Sequence, residues 1–113
     1  MRVTRRNSGD AGAVAAMTDR VTPEEIRAMG DLFFQASDPT RLRILLRLLA
    51  SGGCVCELSG ELGLSVSAVS HQLKKLRLAG LVSRSREGRH VRYRLADDHV
   101  KKLLVLGLEH IRE

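Results

Sequence analysis

Ser65-Val66-Ser67-Ala68-Val69-Ser70-His71-Gln72-Leu73-Lys74-Lys75-Leu76 is the stretch that decides the fold. Ser65 is a helix N-cap, because its short hydroxyl can accept from backbone N–H groups of the first turn. Val69, Leu73 and Leu76 then recur at one face of a helix, and the spacing predicts a helix from about Val66 to Ala79. Gly63 before it permits the left-handed turn that ends a preceding helix, and Gly80 stops this one. Opposite the apolar stripe stand Ser65, Ser67, Ser70, His71, Gln72, Lys74 and Lys75. Short hydroxyls allow close approach to a DNA groove, and His71 and Gln72 can hydrogen-bond base edges. The lysines suit phosphates, which position a protein on DNA without specifying sequence.

Toward the C-terminus, residues 81–85 and 91–95 read as two strands joined around Glu87-Gly88. The hairpin carries Arg84, Arg86, Arg89, Arg92 and Arg94, five arginines in eleven residues with few acids nearby to pair them. Arg84, Arg86 and Arg89 are expected to reach a phosphate backbone or minor groove. Toward the N-terminus, Cys54 to Leu62 reads as a short helix ended by Gly63. A Leu-rich helix starts at Asp38-Pro39 and ends near Ala50. An earlier one runs from Thr22, with Pro23 at its first position and Glu25 completing a capping box, to about Gln35. Ile26, Met29, Leu32 and Phe33 are expected on its inward face. Helix, Gly-containing turn, helix and basic hairpin make a winged helix-turn-helix: mainly α with a small β-hairpin. Residues 21–113 form this domain, and residues 1–20, with Arg2, Arg5 and Arg6, read as a flexible N-terminal arm. Met17 is an alternative start.

The last seventeen residues hold Asp97, His99, His110 and Glu113 around an apolar helix marked by Val100, Leu103, Leu104, Leu108 and Ile111. At about 1.5 Å of rise per residue, His99 and His110 lie ~16 Å apart, so one helix cannot bring both to one ion. Two antiparallel copies can: Asp97 and His99 of one chain would face His110 and Glu113 of the other. Two imidazoles and two carboxylates at a tetrahedral centre suit Zn(II). This arrangement implies a homodimer joined through its terminal helices.

The chain has 113 residues, enough for one small domain. Apolar residues make up 43% but aromatics only 3%, so the core must be Leu, Val, Ile and Ala. Nineteen Lys and Arg against thirteen Asp and Glu leave a formal charge of +6, which points to a polyanion, most simply double-stranded DNA. No apolar run approaches the ~20 residues of a membrane span, and no secretory signal is visible, so a cytoplasmic setting without membrane contact is expected. Catalysis is not expected, since no nucleophile and base are arranged together.

Ser67-Ala68-Val69-Ser70-His71-Gln72-Leu73, Leu81-Val82, Gly88-Arg89-His90-Val91 and Tyr93-Arg94-Leu95, together with Asp38-Pro39-Thr40-Arg41-Leu42-Arg43-Ile44, resemble the ArsR/SmtB family of bacterial metal-responsive repressors. The resemblance covers about residues 25–113. It implies a homodimeric repressor that holds operator DNA and releases it when an inducer binds. Asp97, His99, His110 and Glu113 match the family's zinc site on the C-terminal helix, with Co(II) or Cd(II) as other inducers. The resemblance also implies that His110 donates its second ring N–H to a carbonyl at the end of the recognition helix, here Gly80.

Cys54-Val55-Cys56-Glu57-Leu58 is similar to the cysteine box of family members that sense soft metals or arsenite. Thiolates favour Cd(II), Pb(II), Cu(I) or As(III). Yet Ser59 stands three positions after Cys56, and residues 1–20 contain neither Cys nor His, so only two thiolates are at hand. A second metal site, a redox-sensitive thiol pair and a purely structural pair all remain open. Two cysteines so close make a poor structural disulfide, and a reducing compartment fits them. Two further functions compete with a zinc-responsive repressor: a metal-independent DNA-binding module, and a metal buffer or redox protein.

Overall fold

A computed structural model describes residues 11–113 of the chain. The elements in order are helices α1 (Ala11–Thr18), α2 (Pro23–Ser37), α3 (Pro39–Ala50), α4 (Val55–Leu62) and α5 (Val66–Leu78), strands β1 (Val82–Glu87) and β2 (His90–Leu95), and helix α6 (Asp98–Ile111). The chain divides into two compact units, the first ending at Gly30 and the second running from Asp31 to Glu113. Leu32 and Ala36, in the part of α2 that belongs to the second unit, pack against the buried cluster.

Residues 11–18, within the segment read as an arm, are helical. Ala-Gly-Ala-Val-Ala-Ala-Met is rich in the strongest helix former, so propensity makes a helix there without an apolar stripe to announce it. The arm expected over residues 1–10, with Arg2, Arg5 and Arg6, lies outside the described residues.

Three of the later helices begin where their caps predict. Thr22 Oγ1 accepts from Glu25 N–H at 3.0 Å, and Thr22 N–H donates to Glu25 Oε1 at 2.9 Å, a reciprocal capping box. Asp38 accepts from Arg41 N–H at 3.0 Å, and Ser65 Oγ accepts from Ala68 N–H at 3.0 Å. Gly63 ends α4 in the left-handed region at φ 70°, and Gly80 turns the chain out of α5 at φ 78°. Non-glycine residues seldom adopt that conformation.

The core of the second unit is aliphatic, as the shortage of aromatics required. Ile44, Leu45 and Leu48 of α3 meet Leu58 of α4 and Val69, Leu73 and Leu76 of α5. Leu81, Val82 and Tyr93 close it from the hairpin, and Val100 and Leu104 from α6. Full burial of one such side chain is worth about 1.5–3 kcal/mol. The hairpin pairs antiparallel from Val82↔Leu95 to Glu87↔His90. Gly53 adds a short third rung: its N–H donates to Tyr93 O at 2.9 Å, and Tyr93 N–H donates back to Gly53 O at 2.8 Å. The hairpin is thereby fastened to the segment that leads into α4.

The expected inward face of α2 needs correction. Ile26, Met29 and Phe33 are exposed, and of the four expected residues only Leu32 packs against the core. Helical periodicity identifies a stripe but not what covers it. The same holds for α6, where Val100 and Leu104 are buried while Leu103, Val105, Leu106 and Ile111 stay exposed.

Candidate functional site

Helix α5 rests on α3 and α4 through Val69, Leu73 and Leu76, all fully buried. This burial fixes the rotation of the helix. Ser67, Ser70, His71 and Lys74 then fall at i, i+3, i+4 and i+7 on the open face, all exposed, with Ser65 at its N-terminal end. Lys75 is half-buried at the edge of this face. Gln72 is also half-buried, and its Oε1 accepts from Arg41 Nη1 at 2.9 Å. Its carbonyl oxygen is therefore engaged within the chain, and its amide nitrogen remains the group that can donate outward.

The hairpin separates its arginines into two kinds. Cross-strand register pairs Arg84 with Tyr93 and Arg86 with Val91, but Ser83 with Arg94 and Ser85 with Arg92. Arg84 and Arg86 thus share one face, and Arg92 and Arg94 the other. Arg92 Nη2 donates to Gly52 O at 2.9 Å, and its Nη1 lies 3.8 Å from Glu57 Oε1. Arg94 pairs with Glu87 at 3.3 Å. Two acids therefore do pair hairpin arginines, and one of them, Glu57, comes from another element, which local sequence could not reveal. Arg84, Arg86 and Arg89 are exposed and make no ion pair among the described residues.

The carboxylate and imidazole pairs stand at opposite ends of α6. Asp97 is its N-cap, and Oδ1 accepts from Val100 N–H at 3.1 Å. His99 Nδ1 lies 3.7 Å from Asp97 Oδ1, and the imidazole is 93% exposed. The extended backbone of Asp97 lets residues i and i+2 lie together, as an unwound first turn requires. His110 occupies the last turn and Glu113 follows it, both exposed. One chain therefore brings Asp97 to His99 but not to His110 or Glu113. Among the described residues, no group of three or more His, Cys, Asp or Glu is placed to hold a metal ion. The donor set itself fits zinc: two solvent-facing imidazoles, the exposed Glu113 side-chain carboxylate, and an Asp97 whose Oδ2 has no hydrogen bond among the described residues.

Cys54 is the N-cap of α4 and half-buried, Cys56 is exposed, and both thiols are free. Cys54 lines an open cavity of about 190 Å³ with Glu57, Glu87, His90 and Arg92. Glu57 Oε1 accepts from Cys54 N–H at 3.0 Å. That hydrogen bond, helped by the nearby Arg92 guanidinium, holds the Glu57 carboxyl below its ordinary range. His90 is exposed and lines this cavity. The signal that could have placed it is its register opposite Glu87 across the turn.

Residues 38–84 match the family model described as bacterial regulatory protein, arsR family. The chain is 41% identical over 90 residues to a transcriptional repressor SmtB homolog of Synechocystis, covering 80% of this chain and 68% of that protein. A homodimeric winged helix-turn-helix DNA-binding domain from Mycobacterium bovis, solved in solution, superposes with a TM-score of 0.76 at 26% identity, over 78% of this chain and 82% of that one. The cadmium metal-sensor CMTR of Mycobacterium tuberculosis superposes at 0.59 with 44% identity, over 66% of this chain and 76% of that one. No helix among the described residues is long and apolar enough to cross a membrane.

Proposed function

Since this chain belongs to the ArsR family of bacterial DNA-binding transcriptional regulators, we propose that it is a homodimeric repressor that releases operator DNA on binding Zn(II). The supporting observation is the pairing of two surfaces. Ser67, Ser70, His71 and Lys74 line one exposed side of α5, and Arg84, Arg86 and Arg89, which make no ion pair among the described residues, are exposed on the hairpin. Asp97 with His99, and His110 with Glu113, sit exposed at the two ends of α6, each pair short of a full ligand set.

Ser65, Ser67, Ser70, His71 and the Gln72 amide meet base edges in the major groove. Lys74, Lys75, Arg84, Arg86 and Arg89 meet phosphates. Exposed Leu103, Val105, Leu106 and Ile111 leave much of the apolar surface of α6 open, and the second protomer covers it, because so much apolar surface is seldom left in water. Antiparallel α6 helices then set Asp97 and His99 against His110 and Glu113 of the partner subunit. These four side chains would hold zinc, which would supply a link between the protomers. His110 can donate its second ring N–H to the Gly80 carbonyl at the end of α5, linking the ligand set to the reading head. Zinc shifts the equilibrium only by as much as it prefers the DNA-free arrangement, with coupling of about 1–3 kcal/mol as the usual scale. The reducing cytoplasm is the setting, and the function is not catalytic.

The test is a titration of operator-bound protein with Zn(II), Co(II) and Cd(II) at fixed salt. Release at one zinc per protomer supports the reading. A mixed dimer of one His99→Ala chain and one His110→Ala chain should keep one site and lose the other, and a mixed dimer with no zinc site would overturn the shared-ligand assignment. Operator affinity unmoved by any of the three metals would leave a metal-independent DNA-binding module. A second reading draws on the cavity beside Cys54 and the likeness to a cadmium sensor: Cys54 and Cys56 bind Cd(II), Pb(II) or As(III), or respond to oxidants. Cadmium release that survives His110→Ala but not Cys54→Ser would favour it.

A further inference from the structure

Arg41 is the one buried charged side chain among the described residues, 7% exposed, in the first turn of α3. A buried guanidinium costs free energy unless its N–H groups find acceptors. Here Nε donates to Gln35 O at 2.8 Å, in the last turn of α2, and Nη1 donates to Gln72 Oε1 at 2.9 Å, on α5. No carboxylate forms a salt bridge with it among the described residues, so the charge is satisfied by two neutral acceptors on two different helices. Such charge-assisted bonds are stronger than neutral ones. The flat, forked guanidinium can serve two acceptors at fixed angles, which a lysine ammonium on a flexible stem cannot.

We infer that Arg41 is a positioning residue for DNA recognition, holding α5 in rotational register with α2 and α3 through Gln72. Gln72 sits between fully buried Leu73 and exposed His71, so it marks the edge where the α5 core stripe meets the reading face. Tethering its oxygen there fixes where Ser67, Ser70, His71 and Lys74 point. Apolar packing alone tolerates small rotations, because it is non-directional. The guanidinium bond is directional and resists them. Gln35 also lies one and two positions after exposed Phe34 and Phe33, so a displacement of that end of α2 reaches the reading face through the same guanidinium. The inference rests on the DNA-binding reading above and adds a residue that touches no DNA.

The experiment uses the full chain and a duplex selected from random sequence by the wild-type protein. Operator-to-random affinity ratio and salt slope are measured for Arg41→Met, Gln72→Met and the double variant, with thermal unfolding as a control for folding. Arg41→Met should lower the ratio by about tenfold, the scale of coupling for residues in contact. Its salt slope should not change, because no phosphate contact is lost. The double variant should lose no more than the worse single. If Arg41→Met does not fold, Arg41→Lys keeps the charge, cannot span both acceptors, and should show the same loss of ratio. An unchanged ratio in a folded Arg41 variant would overturn the inference, as would additive losses, since Gln72 would then act on bases independently. Failure of the wild-type protein to select any duplex would instead defeat the DNA-binding reading itself.

Discussion

Helices α5 and α6 are near equals in length, thirteen and fourteen residues, and both are amphipathic, yet the fold treats them differently. Val69, Leu73 and Leu76 of α5 are wholly buried, and the polar side is left to solvent. Helix α6 buries only Val100 and Leu104, and leaves Leu106 at 63% and Ile111 at 76% exposure. An open apolar groove of about 280 Å³ runs beside it, lined by Leu42 and Leu46 of α3 and Leu103, Leu108 and Ile111 of α6. The contrast teaches that α5 buries its whole apolar stripe within the chain, whereas α6 buries only Val100 and Leu104 there and leaves most of its other apolar residues open. One helix is anchored to present polar groups, and the other presents apolar ones.

Substitutions should separate these two roles. The largest effect is expected at the anchored helix: Leu73→Ala should cost about 2–5 kcal/mol of unfolding free energy, measured by chemical denaturation at fixed protein concentration. Ile111→Ala, being exposed in the single chain, should stay within about 0.5 kcal/mol once protomers are dilute enough to separate. Equal losses at the two positions would erase the contrast.

The next effect belongs to α6. Leu106→Asp should raise the dimer dissociation constant by at least about tenfold, or ~1.4 kcal/mol, in sedimentation equilibrium. Far-UV helicity should be unchanged. A dimer as tight as the wild type would place the interface elsewhere than on α6.

A smaller effect distinguishes the two kinds of hairpin arginine. Arg89→Ala should weaken binding to all DNA sequences alike and lower the slope of log affinity against log salt by about one. Arg92→Ala should leave that slope unaltered and lower thermal stability instead, because its guanidinium is spent on Gly52 O and faces Glu57. A reduced slope for Arg92→Ala would mean that the paired face also meets phosphate.

The smallest effect is one of pH. The Glu57 carboxyl is held below its ordinary range by the Cys54 N–H and by Arg92. Its folded pKa lies below its unfolded one, so its contribution is present above the ordinary carboxylate range and is lost as pH falls through the folded value. Glu57→Gln should therefore lower the melting temperature slightly at neutral pH, and the difference should vanish on acidification. A difference that grows toward acid would contradict the assignment.

Much of this was legible in order along the chain. Thr22, Asp38 and Ser65 announced three helix starts, and Gly63 and Gly80 two turns, because caps and left-handed turns depend on chemistry within a few residues. Strand limits moved only slightly, to Val82–Glu87 and His90–Leu95. Helix α1 was missed because alanine propensity leaves no periodic trace. The fates of Gln72 and Arg92 were hidden for a different reason. Their partners Arg41 and Glu57 stand 31 and 35 positions away in sequence, and only packing brings them near.

The sequence by itself determined the elements, the helix-turn-helix followed by a basic hairpin, the aliphatic core, and the residue types available to DNA and metal. Those follow from local sterics, caps and periodicity, which act over one or two turns. Only the tertiary structure decided which polar groups remain free. It took the Gln72 oxygen, Arg92 and Arg94 into internal contacts, left Arg84, Arg86 and Arg89 in solvent, and opened the apolar side of α6. Such choices depend on what stands opposite a side chain in space, and a stripe or a charge carries no record of that until the chain has folded around it.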